Sequence, residues 1–152
     1  MSDITSKSLF VGRVSHAVGV VWPDNLEKVM AQMGRALGVE FEGPFLREET
    51  GLLAGVAAAA GIELISPSTP DHTLNEYLEK NGEGWYSIGF GVASTDEALE
   101  RAKQLGYDQS WRAVRTGVPG WAGHYDRVEA TVLDRSLFGG LQIVFATFEG
   151  RE

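Results

Sequence analysis

GIELISPSTPDHTLNEYLEKNGEGWYSIGFGV, residues 61–92, decides the fold. Its segments read in turn as a strand, a Pro-broken turn, a short helix, a Gly-rich turn and a second strand. Residues 61–66 form the first strand, which Pro67 and Pro70 stop because proline lacks the ladder N–H. Thr73 followed by Glu76 has the spacing of a capping box, so TLNEYLEK is a short helix. Asn81-Gly82 and Gly84 turn the chain back, and Tyr86–Val92 is the closing strand. That strand repeats the pattern of the chain's first one, so the stretch joins two halves of a duplication.

The first half can be traced from this join. Strand one covers Arg13–Val21, RVSHAVGVV, with high β-branched content. Trp22-Pro23 ends it, and Asp24 with Glu27 forms another capping-box pattern. A helix over 25–37 follows, with Leu26, Val29, Met30, Met33 and Leu37 on one face and Gly38 as its stop. Residues 39–50 are a loop or short edge segment containing Pro44. The Ala-rich LLAGVAAAAG is compatible with helix by propensity. Its two glycines and the short distance to Glu63 favour a hairpin of strands at 51–58 and 61–66.

The second half answers it. After Tyr86–Val92, Ser94 and Glu97 cap a helix lined by Ala98, Leu99, Ala102 and Leu105 and ended by Gly106. A turn-rich region, YDQSWRAVRTGVPGWAGHY, leads to strands at 127–133 and 141–148, with Asp134-Arg-Ser between them. The chain is therefore one α+β domain over 1–152, with a first module at 12–66 and a second at 84–150. Two βαβββ modules pair their sheets into a curved mixed sheet around a cup, lined by every second side chain.

Composition narrows the function. The chain has 152 residues, a formal charge of -8 and no cysteine. Disulfides and Cys-ligated zinc are excluded. The acidic balance, with Arg112, Arg115 and Arg127 dispersed, argues against nucleic acid as a partner. No apolar run is long enough for a membrane span and no signal-peptide pattern is present, so the expected location is cytoplasmic. Open curved sheets leave strand edges, so the expected assembly is a homodimer.

His16 shares its strand face with Val14 and Val18. It is either a satisfied core imidazole or an acid–base group facing the cup. Glu63 is either on a solvent face or a partnered carboxylate inside. His72, just before a helix, fits a capping role or solvent exposure, whereas His124, in a loop between aromatics, is a candidate site residue. Trp85, Tyr86, Trp121 and Tyr125 can line an apolar pocket, with Ser87 and Gln142 as polar groups. Glu129, on a strand beside the last one, is a further candidate carboxylate.

The stretches 14–38, 61–92 and 139–150 together resemble the vicinal oxygen chelate, or glyoxalase-like, superfamily, closest to its methylmalonyl-CoA epimerase-like group. The resemblance implies four strand positions that hold one divalent metal such as Co, Mn, Ni or Zn. They fall on His16, Glu63, Ser87 and Val144. Serine is a poor ligand and valine none, so the expectation is a cup without a metal cofactor; if a metal binds, His16 and Glu63 hold it. The resemblance then implies a metal-independent isomerase, epimerase or lyase. It would remove a proton next to a carbonyl of a small or polycyclic apolar substrate, using His16 and Glu63. Two alternatives stay open: a non-catalytic small-molecule binding or resistance protein, and a divalent-metal-dependent epimerase with substituted ligands.

Overall fold

The computed structural model describes residues 10–150; most of the polar lead lies outside them. The elements, in order, are β1 (Val14–Val20), α1 (Pro23–Leu37), β2 (Glu42–Arg47), β3 (Leu52–Ala57) and β4 (Ile62–Pro67). Then come α2 (Leu74–Asn81), β5 (Gly84–Gly91), α3 (Thr95–Gln104), β6 (Gln109–Arg115), α4 (Trp121–His124), β7 (Arg127–Leu133) and β8 (Gln142–Glu149). Two βαβββ modules are thus present, as the sequence predicts. In each, the first strand runs parallel to the last (β1 with β4, β5 with β8) and the remaining pairs are antiparallel.

The chain forms two compact units. The first is Ala17–Tyr86; the second comprises the chain through His16 together with Ser87 onward. In the first unit, α1 covers one face of the sheet. Val21, Leu26, Met30 and Leu64 form that core, with Val29, Met33, Phe41, Leu53 and Ile62 around them. Gly55 permits the close approach, since a Cβ there would lie 2.7 Å from the Met30 sulfur. Burying a residue such as Leu26, 1% exposed, contributes about 1.5–3 kcal/mol. On the opposite face, α2 packs Leu74 and Leu78 against Val18, Val20, Ala54 and Ile65.

In the second unit the two faces separate by register. Gly89, Val144 and Val132 are neighbours across β5, β8 and β7, as are Gly91 and Ala146. Ile143, Phe145 and Thr147 point to the other face. Glu129 pairs with Thr147 in register and so shares that second face, opposite Val144.

Several boundaries differ from the sequence reading. The 39–50 stretch contains a full strand, β2, and the turn-rich region contains β6 and the single-turn α4. Both strands sit at sheet edges, where a partner on one side only relaxes the demand for apolar alternation. The Ala-rich segment is the hairpin, with its alanines 58–60 in a 3₁₀ turn closed by left-handed Gly61. α1 begins at Pro23, not after an Asp24 cap: proline fits the first helical position because its missing N–H needs no partner. Thr73 makes no capping bond either. His72 does, its Nδ1 accepting from the Leu74 N–H at 3.0 Å while its Nε2 donates to Thr50 O at 2.8 Å. Ser94 is the predicted cap that forms, its hydroxyl accepting from the Glu97 N–H at 3.2 Å.

Candidate functional site

In the second unit the site is built around His16, which is 7% exposed. Its ring centroid lies 5.3 Å from that of Trp121 and 5.8 Å from that of Phe148. Phe148 in turn meets Tyr125 at 5.1 Å and Phe10 at 5.5 Å, both edge-on. The third wall is β5. A Cβ on Gly89 would lie 2.1 Å from His16 Cε1 and 2.3 Å from Nδ1, so the imidazole lies directly against glycine backbone. Ser15 Oγ stands 2.9 Å from Nδ1. The His16 imidazole is therefore an ionisable group inside an aromatic box, on the face that carries Ser87 and Val144.

Trp121 comes to this box through α4. Gly120 before it has φ 92, a left-handed conformation that a side chain would strain. Trp121 is 6% exposed, and its indole Nε1 is buried with no acceptor among the described residues. Tyr125 is buried in the same box and His124 is half-buried at the end of α4. Ser87 is buried and pairs in register with half-buried Gln142. The sequence thus identifies His16, Ser87, Trp121, Tyr125 and Gln142, and the structure places all of them in this unit. It also adds Phe148, whose role no local pattern signals.

The other residues belong to the first unit. Glu63, 7% exposed, sits on β4 between Val18 of β1 and Val56 of β3, on the α2-covered face. The Arg47 guanidinium donates to its Oε1 in a short buried ion pair. Arg47 is the residue sequence reasoning missed. It closes β2, in a stretch read as loop, and the β2–β3–β4 register that aims it at Glu63 is a long-range property. Tyr86 lies against the core of this face and packs edge-on against Tyr77, with centroids 4.8 Å apart. Trp85 points away. It is 58% exposed and lines a separate small cavity with Gly19, Val21, Val29, Met33 and Leu64, on the α1 side.

Glu129 is not a replacement ligand. It lies on the helix-covered face and accepts from the Arg112 Nε at 2.8 Å, with Arg127 Nη2 also 2.8 Å away. Burial pushes its carboxyl up, but the hydrogen bonds from Arg112 and Thr95 and the charges of Arg127 and Arg112 outweigh that and hold it below the usual range. Arg112 is committed to Glu129 and Asp96.

A divalent metal needs three or more hard donors converging. Among the described residues no three His, Asp or Glu side chains do so. At the four positions that the resemblance singles out, Val144 is buried and apolar, Ser87 is a neutral hydroxyl, and Glu63 already neutralises a buried guanidinium. This donor set does not fit a four-ligand divalent site.

Among solved structures, methylmalonyl-CoA epimerase from Mycobacterium tuberculosis is similar, at 18% identity over 96% of this chain and 91% of that one, with a TM-score of 0.72. A variant of the Streptomyces coelicolor methylmalonyl-CoA epimerase, in complex with 2-nitronate-propionyl-CoA, matches at 21% identity over 91% and 98%, TM-score 0.71. A methylmalonyl-CoA epimerase in complex with methylmalonyl-CoA and NH4+ matches at 21% over 92% and 99%, TM-score 0.71. These likenesses show the fold. No curated protein matches the chain. The family model described as Glyoxalase/Bleomycin resistance protein/Dioxygenase superfamily matches residues 16–125. With the paired βαβββ modules in view, the chain belongs to the Glyoxalase/Bleomycin resistance protein/Dioxygenase superfamily.

Proposed function

We propose that the protein is an isomerase or epimerase that moves a proton at a carbon next to a carbonyl, without a divalent metal. The observation that carries this reading is the enclosed His16 imidazole, an ionisable group held against Gly89 and beside Trp121, with Ser15 Oγ 2.9 Å from its Nδ1. Imidazole as a chemical group both takes and returns a proton near neutral pH, which is what an isomerisation or epimerisation requires. Glu63 supplies a carboxylate base. Ser87, Trp121, His124, Tyr125 and Gln142 orient the substrate. Apolar walls with few polar groups suit a substrate whose bulk is apolar.

Methylmalonyl-CoA, the compound bound by a protein of the same fold, is the first substrate to test. The protein is incubated with it in D2O and α-proton exchange is followed by NMR. Exchange should survive dialysis against EDTA and fall about 100-fold or more in H16N and in E63Q. Activity lost to EDTA and restored by Co2+ would establish the metal-dependent reading instead. Saturable binding without exchange, here and with β-keto esters, would establish a binding protein.

A further inference from the structure

His16 is the group the proposed reaction needs, and at 7% exposed it is largely shut off from solvent. Three groups stand against its ring: the Gly89 backbone, Phe148 and Trp121. Gly89 is held in the β5–β8 ladder opposite Val144, and Phe148 in the β7–β8 ladder opposite Val128. Neither can withdraw without breaking strand pairing. Trp121 is placed differently. The strand ladders end at Arg115 and resume at Arg127, so Trp121 lies on a stretch outside them.

That stretch has a bend at one end and an anchor at the other. Gly117 and Gly120 have φ of 64 and 92, left-handed values that glycine adopts without strain. The single turn of α4 closes on itself, the Gly123 N–H donating to Gly120 O at 3.0 Å. Past it, buried Tyr125 packs against Phe148 with centroids 5.1 Å apart, and the Asp126 N–H donates to Glu149 O at 2.8 Å. The part that can swing is therefore 117–124. Its closed position is also imperfect. The Trp121 indole Nε1 is buried with no acceptor among the described residues. A buried donor without a partner costs free energy that contact with water returns. Closure rests on ring packing against His16 and Phe148, at centroid distances of 5.3 and 5.7 Å, set against that cost.

We infer that Trp121 is the gate of the His16 site. Residues 117–124 swing on Gly117 and Gly120, carry the indole off the imidazole, let its N–H reach water, and open the place beside His16. The inference rests on the proton-transfer reading above and adds the step that precedes the chemistry, since a substrate must touch the imidazole to exchange a proton with it. Closed, the gate keeps water off the ring; open, it admits a small molecule.

The test reads the gate without a substrate. Diethyl pyrocarbonate, a small acylating reagent for imidazole nitrogen, is applied to the full chain. Peptide mass spectrometry separates modification at His16 from that at His72 and His124. The series is run at rising urea below the unfolding transition. A local gate exposes little surface, so His16 should react at a rate that stays flat with urea until global unfolding takes over. That flat rate should lie well below the rate for free N-acetylhistidine. Gly120→Ala strains the closed turn and leaves the Trp121 side chain in place, so it should raise the flat rate about tenfold. If that variant does not fold, Gly117→Ala serves: a Cβ there meets nothing within 4 Å, but its φ of 64 strains alanine. A merely structural Trp121 gives no flat portion. The rate then climbs from zero urea with the full unfolding slope, and the glycine variants raise it only as far as they lower global stability. That result, a rate equal to that of N-acetylhistidine, or a flat rate unmoved by the glycine variants overturns the inference. Because no substrate is used, a working gate without α-proton exchange counts against the functional reading alone.

Discussion

Replacing Gly89 with alanine tests the placement of His16 directly. Gly89 is in extended backbone, so alanine meets no conformational barrier of its own, and its smaller unfolded-state entropy favours folding by about 0.4–1 kcal/mol. Against that, the new methyl would lie 2.1 Å from His16 Cε1, 2.3 Å from Nδ1 and 3.0 Å from Nε2. The ring must retreat by roughly 1 Å or more to restore van der Waals contact. Trp121 and Phe148 stand on its other sides, at centroid distances of 5.3 and 5.8 Å, and both are buried. Forcing atoms into such a packed region costs about 1–3 kcal/mol. The control is Gly84→Ala on the same strand, where a Cβ meets nothing within 4 Å. The expected result is that Gly84→Ala is neutral or slightly stabilising and Gly89→Ala falls below it by about 1–3 kcal/mol. With a urea m-value of about 1–3 kcal/mol/M, the midpoints should separate by roughly 1 M. Histidine ring NMR should show the His16 resonances shifted in Gly89→Ala alone. Equal urea midpoints together with unshifted His16 resonances would falsify the enclosed-imidazole geometry and remove the main support for its catalytic role.

Two further outcomes concern a buried carboxylate and the helix caps. The Glu129 carboxyl is held below its usual range, so its contribution to stability is present above the ordinary carboxylate pKa and is lost as pH falls through the lower folded value. E129Q should therefore flatten the acid limb of the stability–pH curve, measured by urea melts from neutral pH downward, as well as lowering stability near pH 7. Ser94→Ala removes the one predicted side-chain cap that forms and should cost about 1 kcal/mol in the same melts, whereas Thr73→Ala, at a helix start without such a bond, should cost less.

Periodicity alone made both long helices readable, because α1 and α3 each bury a single stripe and solvate the rest. The duplication was readable as well, because both modules repeat a strand, a helix and a Gly stop in the same order. The resemblance, carried onto that repeat, brings His16, Glu63, Ser87 and Val144 to attention together. The edge strands β2 and β6 were not readable, since a strand paired on one side only carries a diluted pattern. Local capping rules failed for α1 and α2, where other groups hold the helix start: Glu83 accepts from Trp22 N at 2.9 Å, and the His72 ring caps Leu74.

The amino-acid sequence by itself determined the βαβββ repeat and the superfamily, because these rest on residue type and spacing along the chain. The tertiary structure decided what surrounds the candidate residues. Only the β2–β3–β4 register brings Arg47 to Glu63, across a separation that no local pattern spans. Only the packing of α4 puts Trp121 on His16, opposite a glycine whose missing Cβ makes room for the ring. Side-chain neighbours of this kind are set by long-range pairing, which is why the chemistry at each carboxylate and imidazole had to be read from the fold.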